Sequence, residues 1–409
     1  MAYPPPPPSS HPSPPPRPPS RRRPPWPLLV GAAAVALVVL GAGILWALGG
    51  ADGSLRQVRG VVGSEKVPFF EDERVRSRLA ELGYEVTVRP RGSRAIAEAI
   101  EEGEDFGSPG STPSTEHFKE VNGIEEEYRP FSTPMVLLSY EPIAEALAEA
   151  GVAAQESDGT WSFDMQAYLD LTEERTRWRD LPGDSVSSNN RNELLIRTTD
   201  PRTSNSAAMH LVVLSYLLND EEIVQGTSVD DDLAATLSRL FLAQGQPPDS
   251  SQQPFEHYRD LGPGHTPLVW AYEFQYIAAA VHGPALPEDA VLMYPSPTVF
   301  STHTILPVTE AGSEIGRLLT EDEVLQTLAA DYGFRTEDTE RFEELVGEHA
   351  LPVRRQVGDV VHEPAYRTVE ALIGRIEQEY SDSGQPAPAA DQQPGPGGPG
   401  GPLNDRRNP

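Results

Sequence analysis

Apolar and polar positions divide the chain into parts before any motif is considered. Residues 28–48 read LLVGAAAVALVVLGAGILWAL, 21 residues without a charge. At about 1.5 Å of rise per residue this run matches the roughly 30 Å hydrocarbon core of a bilayer, and it predicts a transmembrane helix. Trp26 and Trp46 fall near its ends, where indoles favour the membrane interface. From residue 55 to 380, short apolar runs alternate with amphipathic stretches. Residues 59–63 (RGVVG) read as a strand, 72–82 as a helix, 85–88 as a strand and 93–101 as a helix. This βαβα order predicts a parallel sheet covered by helices. The pattern recurs as a strand at 135–139 before a helix at 142–150, at 194–197 before 205–218, and at 268–270 before 274–281. No internal repeat is visible, which argues against a solenoid.

The flanks read differently. Residues 1–27 hold 14 prolines, four arginines and no acid, so they predict an extended, disordered basic tail. Residues 381–409, rich in Pro and Gly, predict a second disordered tail. A cleaved signal peptide competes with the anchor reading for 28–48, but its apolar core is ordinarily about 7 to 15 residues and the cleavage candidate at Ala47 is weak. With an uncleaved anchor, Arg21, Arg22 and Arg23 place the N-terminus in the cytoplasm. The expected location is then a single-pass protein of the cell membrane, with the body of the chain extracellular.

Charge and cysteine content remove whole classes of function. The net charge is -30, and the basic N-terminal tail leaves the middle more acidic still, which argues against a nucleic-acid partner. Without Cys there is no disulfide, thiolate metal site, cysteine nucleophile or lipoprotein anchor. Only Lys66 and Lys119 among the 32 basic residues are Lys, and with the abundant Ala, Gly and Pro this hints at a GC-rich bacterial genome.

In an open α/β sheet ligands bind at the carboxyl ends of the strands. Here the loops expected at those ends are rich in small hydroxyl residues: 63–66 (GSEK), 91–94 (RGSR), 107–112 (GSPGST) and 198–206 (TTDPRTSNS). Hydroxyls and free amides at a helix start hold an anion, yet the same residues are ordinary helix caps. Each loop taken alone keeps both readings.

Three longer stretches carry a resemblance. Residues 194–218 (LLIRTTDPRTSNSAAMHLVVLSYLL), 267–277 (PLVWAYEFQYI) and 294–312 (YPSPTVFSTHTILPVTEAG), supported by 59–66, 131–137 and Trp178 to Leu181, resemble extracellular solute-binding proteins of the type II periplasmic-binding fold, nearest the molybdate-binding-like branch. The resemblance spans about residues 56–380. It implies two three-layer α/β lobes with a central cleft, preceded by the transmembrane helix: lobe 1 from 56–132 plus 295–380, lobe 2 from 133–294. It further implies that Ser64, Lys66, Ser93 and Ser111 line one side of the cleft, and that Asp200, Ser204, Asn205 and Ser206 start a helix on the other. Glu273 is a further ligand candidate and equally a partner for a buried Arg. Glu65, Asp200 and Glu273 would repel a bare oxyanion unless Lys66, Arg94 or Arg202 offset them.

The nine histidines form no H-E-x-x-H or other ligand pair, no G-x-S-x-G elbow occurs, and no phosphate-binding G-x-x-x-x-G-K-[ST] is present. Neither an enzyme nor a cofactor is expected. Asp230 to Asp232 reads as a helix start, and the acids at 321–323 and 337–344 as solvated faces. The expected function is a membrane-tethered receptor that captures a small ligand, an oxyanion among the candidates, and presents itself to a transport permease or signalling partner. The alternative is an interaction ectodomain of the same fold without a small ligand.

Overall fold

The computed structural model describes residues 54–183, 189–245, 248 and 251–382. The basic tail, the expected membrane helix at 28–48 and residues 383–409 lie outside the described residues; residues 381 and 382, expected in the tail, are helical. Among the described residues no helix is long and apolar enough to cross a membrane.

The elements are β1 (Arg56–Gly63), α1 (Val67–Glu71), α2 (Glu73–Glu81), β2 (Tyr84–Arg91), β3 (Phe106–Ser108), α3 (Thr112–Asn122), β4 (Tyr128–Tyr140), α4 (Glu141–Glu149), β5 (Ala153–Gln155), β6 (Trp161–Asp164) and α5 (Met165–Glu173). There follow α6 (Asn205–Leu218), α7 (Asp231–Leu242), α8 (Gln252–Leu261), β7 (Val269–Tyr272), α9 (Glu273–His282), β8 (Ala290–Ser296), β9 (Phe300–Pro307), α10 (Glu310–Glu321), α11 (Glu323–Asp331), α12 (Thr339–Glu348) and α13 (Tyr366–Asp382).

The strands pair in the order β2-β1-β3-β9-β4-β8-β6-β5, with β7 also on β4. β1 runs parallel to both β2 and β3, and β6 parallel to β8, so the expected parallel pairing is present toward the two ends. In the middle the sheet is antiparallel, because β4 and β9 cross between the ends in opposite directions. The first part of β4 pairs with β9, Phe131 facing His303 and Pro134 facing Phe300; its second part, from Met135, pairs with β7 and β8. Met135, Val136, Leu137 and Leu138 are buried in succession, the composition of a strand covered on both faces. One continuous strand therefore carries the fold from a first half built on β1, β2 and β3 to a second half built on β5 to β8.

The helix α6 spans 205–218 as its sequence predicts. Its apolar residues surround the axis and all but two of its 14 residues are buried, as for a core helix rather than a surface one. Two expected elements differ. Residues 93–101 form a single 3-10 turn, Ser93–Ala95, instead of a helix, because Ile96 and Ala97 sink into a separate small cluster with Val61, Phe118 and Leu306. Residues 194–196 are buried, but 194–197 form no strand; Arg177 bridges Glu193 and Arg197 bridges Val269, each in isolation.

Candidate functional site

The loop after β1 supplies the floor of the candidate site. Ser64 begins a 3-10 turn and is exposed, whereas the next two side chains turn inward. Lys66 is fully buried, and its Nζ donates to Glu65 Oε1 at 2.5 Å and to His303 Nδ1 at 3.1 Å. Burial opposes the charge on Lys66 and lowers its pKa, while Glu65 acts the other way. Burial also holds His303, packed tilted on Phe131 and edge-on to Phe334, well below the usual imidazole range, with the Lys66 charge adding to the effect. The Nε2 of His303 has no hydrogen-bond partner among the described residues.

Above this floor the two halves meet on Gly110. Its amide donates to Ser93 Oγ at 3.1 Å, and its carbonyl accepts from Ser301 Oγ at 2.7 Å, both within the first half. From the second half, Asn205 Nδ2 donates to the same carbonyl at 3.2 Å. A Cβ at Gly110 would stand 2.9 Å from Glu65 Oε1 and within 3.3 Å of Ser301 and Ser93, so the polar groups converge on a position only glycine leaves open. Tyr272, at the end of β7, lies near Asn205 and Glu65; burial and the Glu65 charge push its hydroxyl pKa well up.

The remaining predicted residues have partners of their own. Ser111 caps α3 and donates to Ser114 Oγ at 2.9 Å. Ser204, at the cap of α6, accepts from Thr199 at 2.7 Å, and Ser206 gives its carbonyl to the Trp270 indole at 3.0 Å. Asp200 is buried, but Arg202 grips both its oxygens, Nε at 2.9 Å and Nη2 at 2.6 Å. Glu273 likewise takes two bonds of 2.7 Å from Arg335 and one of 2.5 Å from Tyr294. Asp200 thus sits in a capped turn, and Glu273 is the partner of a buried arginine.

The halves touch directly around the site. Arg94 reaches from the first half to the carbonyls of Pro201 and Arg202, at 2.6 and 2.9 Å. The space bounded by Arg94, Ser111, Asn205, Glu363 and Tyr366 is about 10 Å³, close to the minimum for one water. On the outer side of α3 a groove of about 680 Å³ opens, with Glu363 and Tyr366 in its wall. Glu363 accepts from the Thr112 amide at 3.0 Å, and the surrounding protein pushes its pKa up to about 8.

Sequence reasoning missed Gly110, Ser301, His303 and Glu363 as site residues. The alternation of Ser301 and His303 on one face of β9 was the available signal for two of them; Glu363 lies 251 residues from its partner Thr112 and offered none.

No known protein-family model matches the chain, and no curated protein matches it. Solved structures do. A periplasmic thiamin-binding protein superposes with a TM-score of 0.51 at 8% identity, over 79% of this chain and 96% of its own. Thiaminase I from Bacillus thiaminolyticus superposes with a TM-score of 0.50 at 11% identity, over 80% of this chain and 99% of its own. At these identities the likeness shows the fold, which is the type II periplasmic-binding architecture.

Two outcomes follow from the charges. Replacing Lys66 by Met strands the Glu65 carboxylate and is expected to cost about 3–5 kcal/mol in urea unfolding, whereas adding Glu65→Gln recovers much of the loss. Glu363 binds its proton more tightly folded than unfolded, with pKa about 8 against the ordinary glutamate value of 4.5. Its stabilising contribution is present below that lower value and is lost as pH rises through the higher one, so stability falls across this window. Melting temperatures measured from pH 4.5 to 8.5 should decline more steeply for the native chain than for Glu363→Gln.

Proposed function

We propose that residues 56–380 form a solute-binding module that closes on a small polar molecule between lobe 1 (56–132 with 295–380) and lobe 2 (133–294). In this reading the segment 28–48 anchors the module in the cell membrane, its N-terminus cytoplasmic and the module outside, where a permease or signalling protein receives the closed form. The convergence of buried Ser93, Ser301 and Asn205 on Gly110, from both halves of the fold, carries the proposal. Contacts made to both lobes favour the shut state by differential affinity, which is how a ligand drives closure.

The charges narrow the ligand. Lys66 is engaged by Glu65, Arg202 by Asp200 and Arg94 by Glu370. With the basic groups around the cleft already paired, a neutral or zwitterionic molecule fits better than a bare dianion, and the molybdate-like specificity implied by the sequence is the less favoured choice. The reading assigns no reaction to the site.

A second reading, an interaction ectodomain without a small ligand, is favoured by one observation: the halves already touch, and the space bounded by Arg94, Ser111, Asn205, Glu363 and Tyr366 is about 10 Å³.

Thermal unfolding against sugars, polyols, amino acids, thiamin, sulfate, phosphate and molybdate separates the two. A ligand at about 100 times its Kd adds about 2.7 kcal/mol and raises the midpoint by about 2–4 °C. The solute reading expects such a rise for one chemical class and its loss in Asn205→Ala. A flat response from the folded protein across the whole panel overturns it and favours the interaction ectodomain.

A further inference from the structure

We infer that residues 353–382 form a latch that crosses both halves and holds the cleft closed. The inference rests on the two-lobed solute-binding reading for its purpose, and on the contacts of this segment for its evidence. The segment starts against the second half. The Arg354 amide donates to Tyr294 Oη at 2.9 Å, its guanidinium lies 4.9 Å over the Tyr294 ring, and Glu156 stands 3.7 Å away. It then passes the crossing between β8 and β9, where the Thr298 amide donates to the Asp359 carbonyl at 2.9 Å and the Val361 amide donates to the Thr298 carbonyl at 2.8 Å.

Next it engages the first half. Glu363 accepts from the amide at the start of α3, at 3.0 Å, and Tyr366 stacks on His117 of the same helix at 3.8 Å. Glu370 takes two bonds from Arg94, at 2.7 and 2.9 Å. From there α13 leaves for the second half and runs along α7, where Arg375 donates to Asp231 at 2.8 Å and to the Val229 carbonyl at 3.3 Å. Its apolar face, Val369, Leu372, Ile373 and Ile376, is buried, and Val369 lies in the seam with Pro113 and Ser114 of α3 and Ala208 and Val212 of α6.

Arg94 shows how the parts are coupled. One guanidinium is held by Glu370 of the latch while it also donates to Pro201 and Arg202 of the second half. Rotation about the crossing strands alone therefore does not open the cleft. The halves separate only when α13 gives up its contacts with one of them.

Because the chain has no Cys, labels can be placed at will. Ser77→Cys on α2 and Glu145→Cys on α4 put nitroxides at exposed positions on the two halves of the full chain, and pulsed electron paramagnetic resonance reads their separation. The parent should give one narrow distance. Val369→Asp combined with Glu370→Ala should lengthen and broaden it, as should Arg375→Asp, and adding Asp231→Arg to Arg375→Asp should restore the parent distance. The parent distribution in all of these variants overturns the latch. The readout needs no ligand, so it fails separately from the solute reading: a latch that releases while no compound raises the melting temperature retires the receptor and leaves the latch standing.

Discussion

The Lys66 amine is fully buried, and the packing around the candidate site depends on satisfying it. An unpaired charge at that depth costs several kcal/mol, a large part of the roughly 5–15 kcal/mol by which a folded domain exceeds its unfolded state. Its partners come from two places: Glu65 from the adjacent position, and His303 from a crossing strand 237 residues away. Wherever the fold forms, the first loop must therefore close on β9. That closure brings Ser301 under Gly110 and turns the Glu65 carboxylate toward the point where Ser93 and Asn205 meet.

The same rule governs Asp200 and Glu273 in the interior and the half-exposed Glu370. Asp200, Glu273 and Glu370 are each gripped by an arginine through two bonds, and a guanidinium offers the planar fork that such pairing needs. A chain with 62 acidic and 32 basic residues thus spends several of its arginines on interior pairs, and much of the net charge of -30 is left to exposed acids. In consequence the charges around the candidate site are largely paired, between halves that already share hydrogen bonds.

How much of this was legible depends on the separation of the partners. The helix α6 was readable to the residue, since the polar loop at 198–204 gives way to an apolar run too long for a strand. The strand ends β1 and β7 were readable from their short apolar runs, and the loops carrying Ser93, Ser111 and Asn205 from their small polar composition. The turn at 93–95 was misread as a helix because its propensity was judged alone, whereas burial of Ile96 and Ala97 against Val61, Phe118 and Leu306 decides its shape. A buried arginine partner for Glu273 was one of two readings of the sequence, but its identity, Arg335, and its choice over ligand contact needed the fold. Gly110 meets Asn205 and Ser301 across 95 and 191 positions, and Glu363 meets Thr112 across 251, distances at which local pattern carries no information.

The central claim is that one small molecule sits between the two halves and contacts both. Hydrogen–deuterium exchange of the full chain, with and without whichever panel compound raises its melting temperature, tests this directly. The account predicts simultaneous added protection at the amides around Ser93 and Gly110 in the first half and at Ser204 to Ala208 in the second. Protection confined to one half, or located away from these loops, contradicts it.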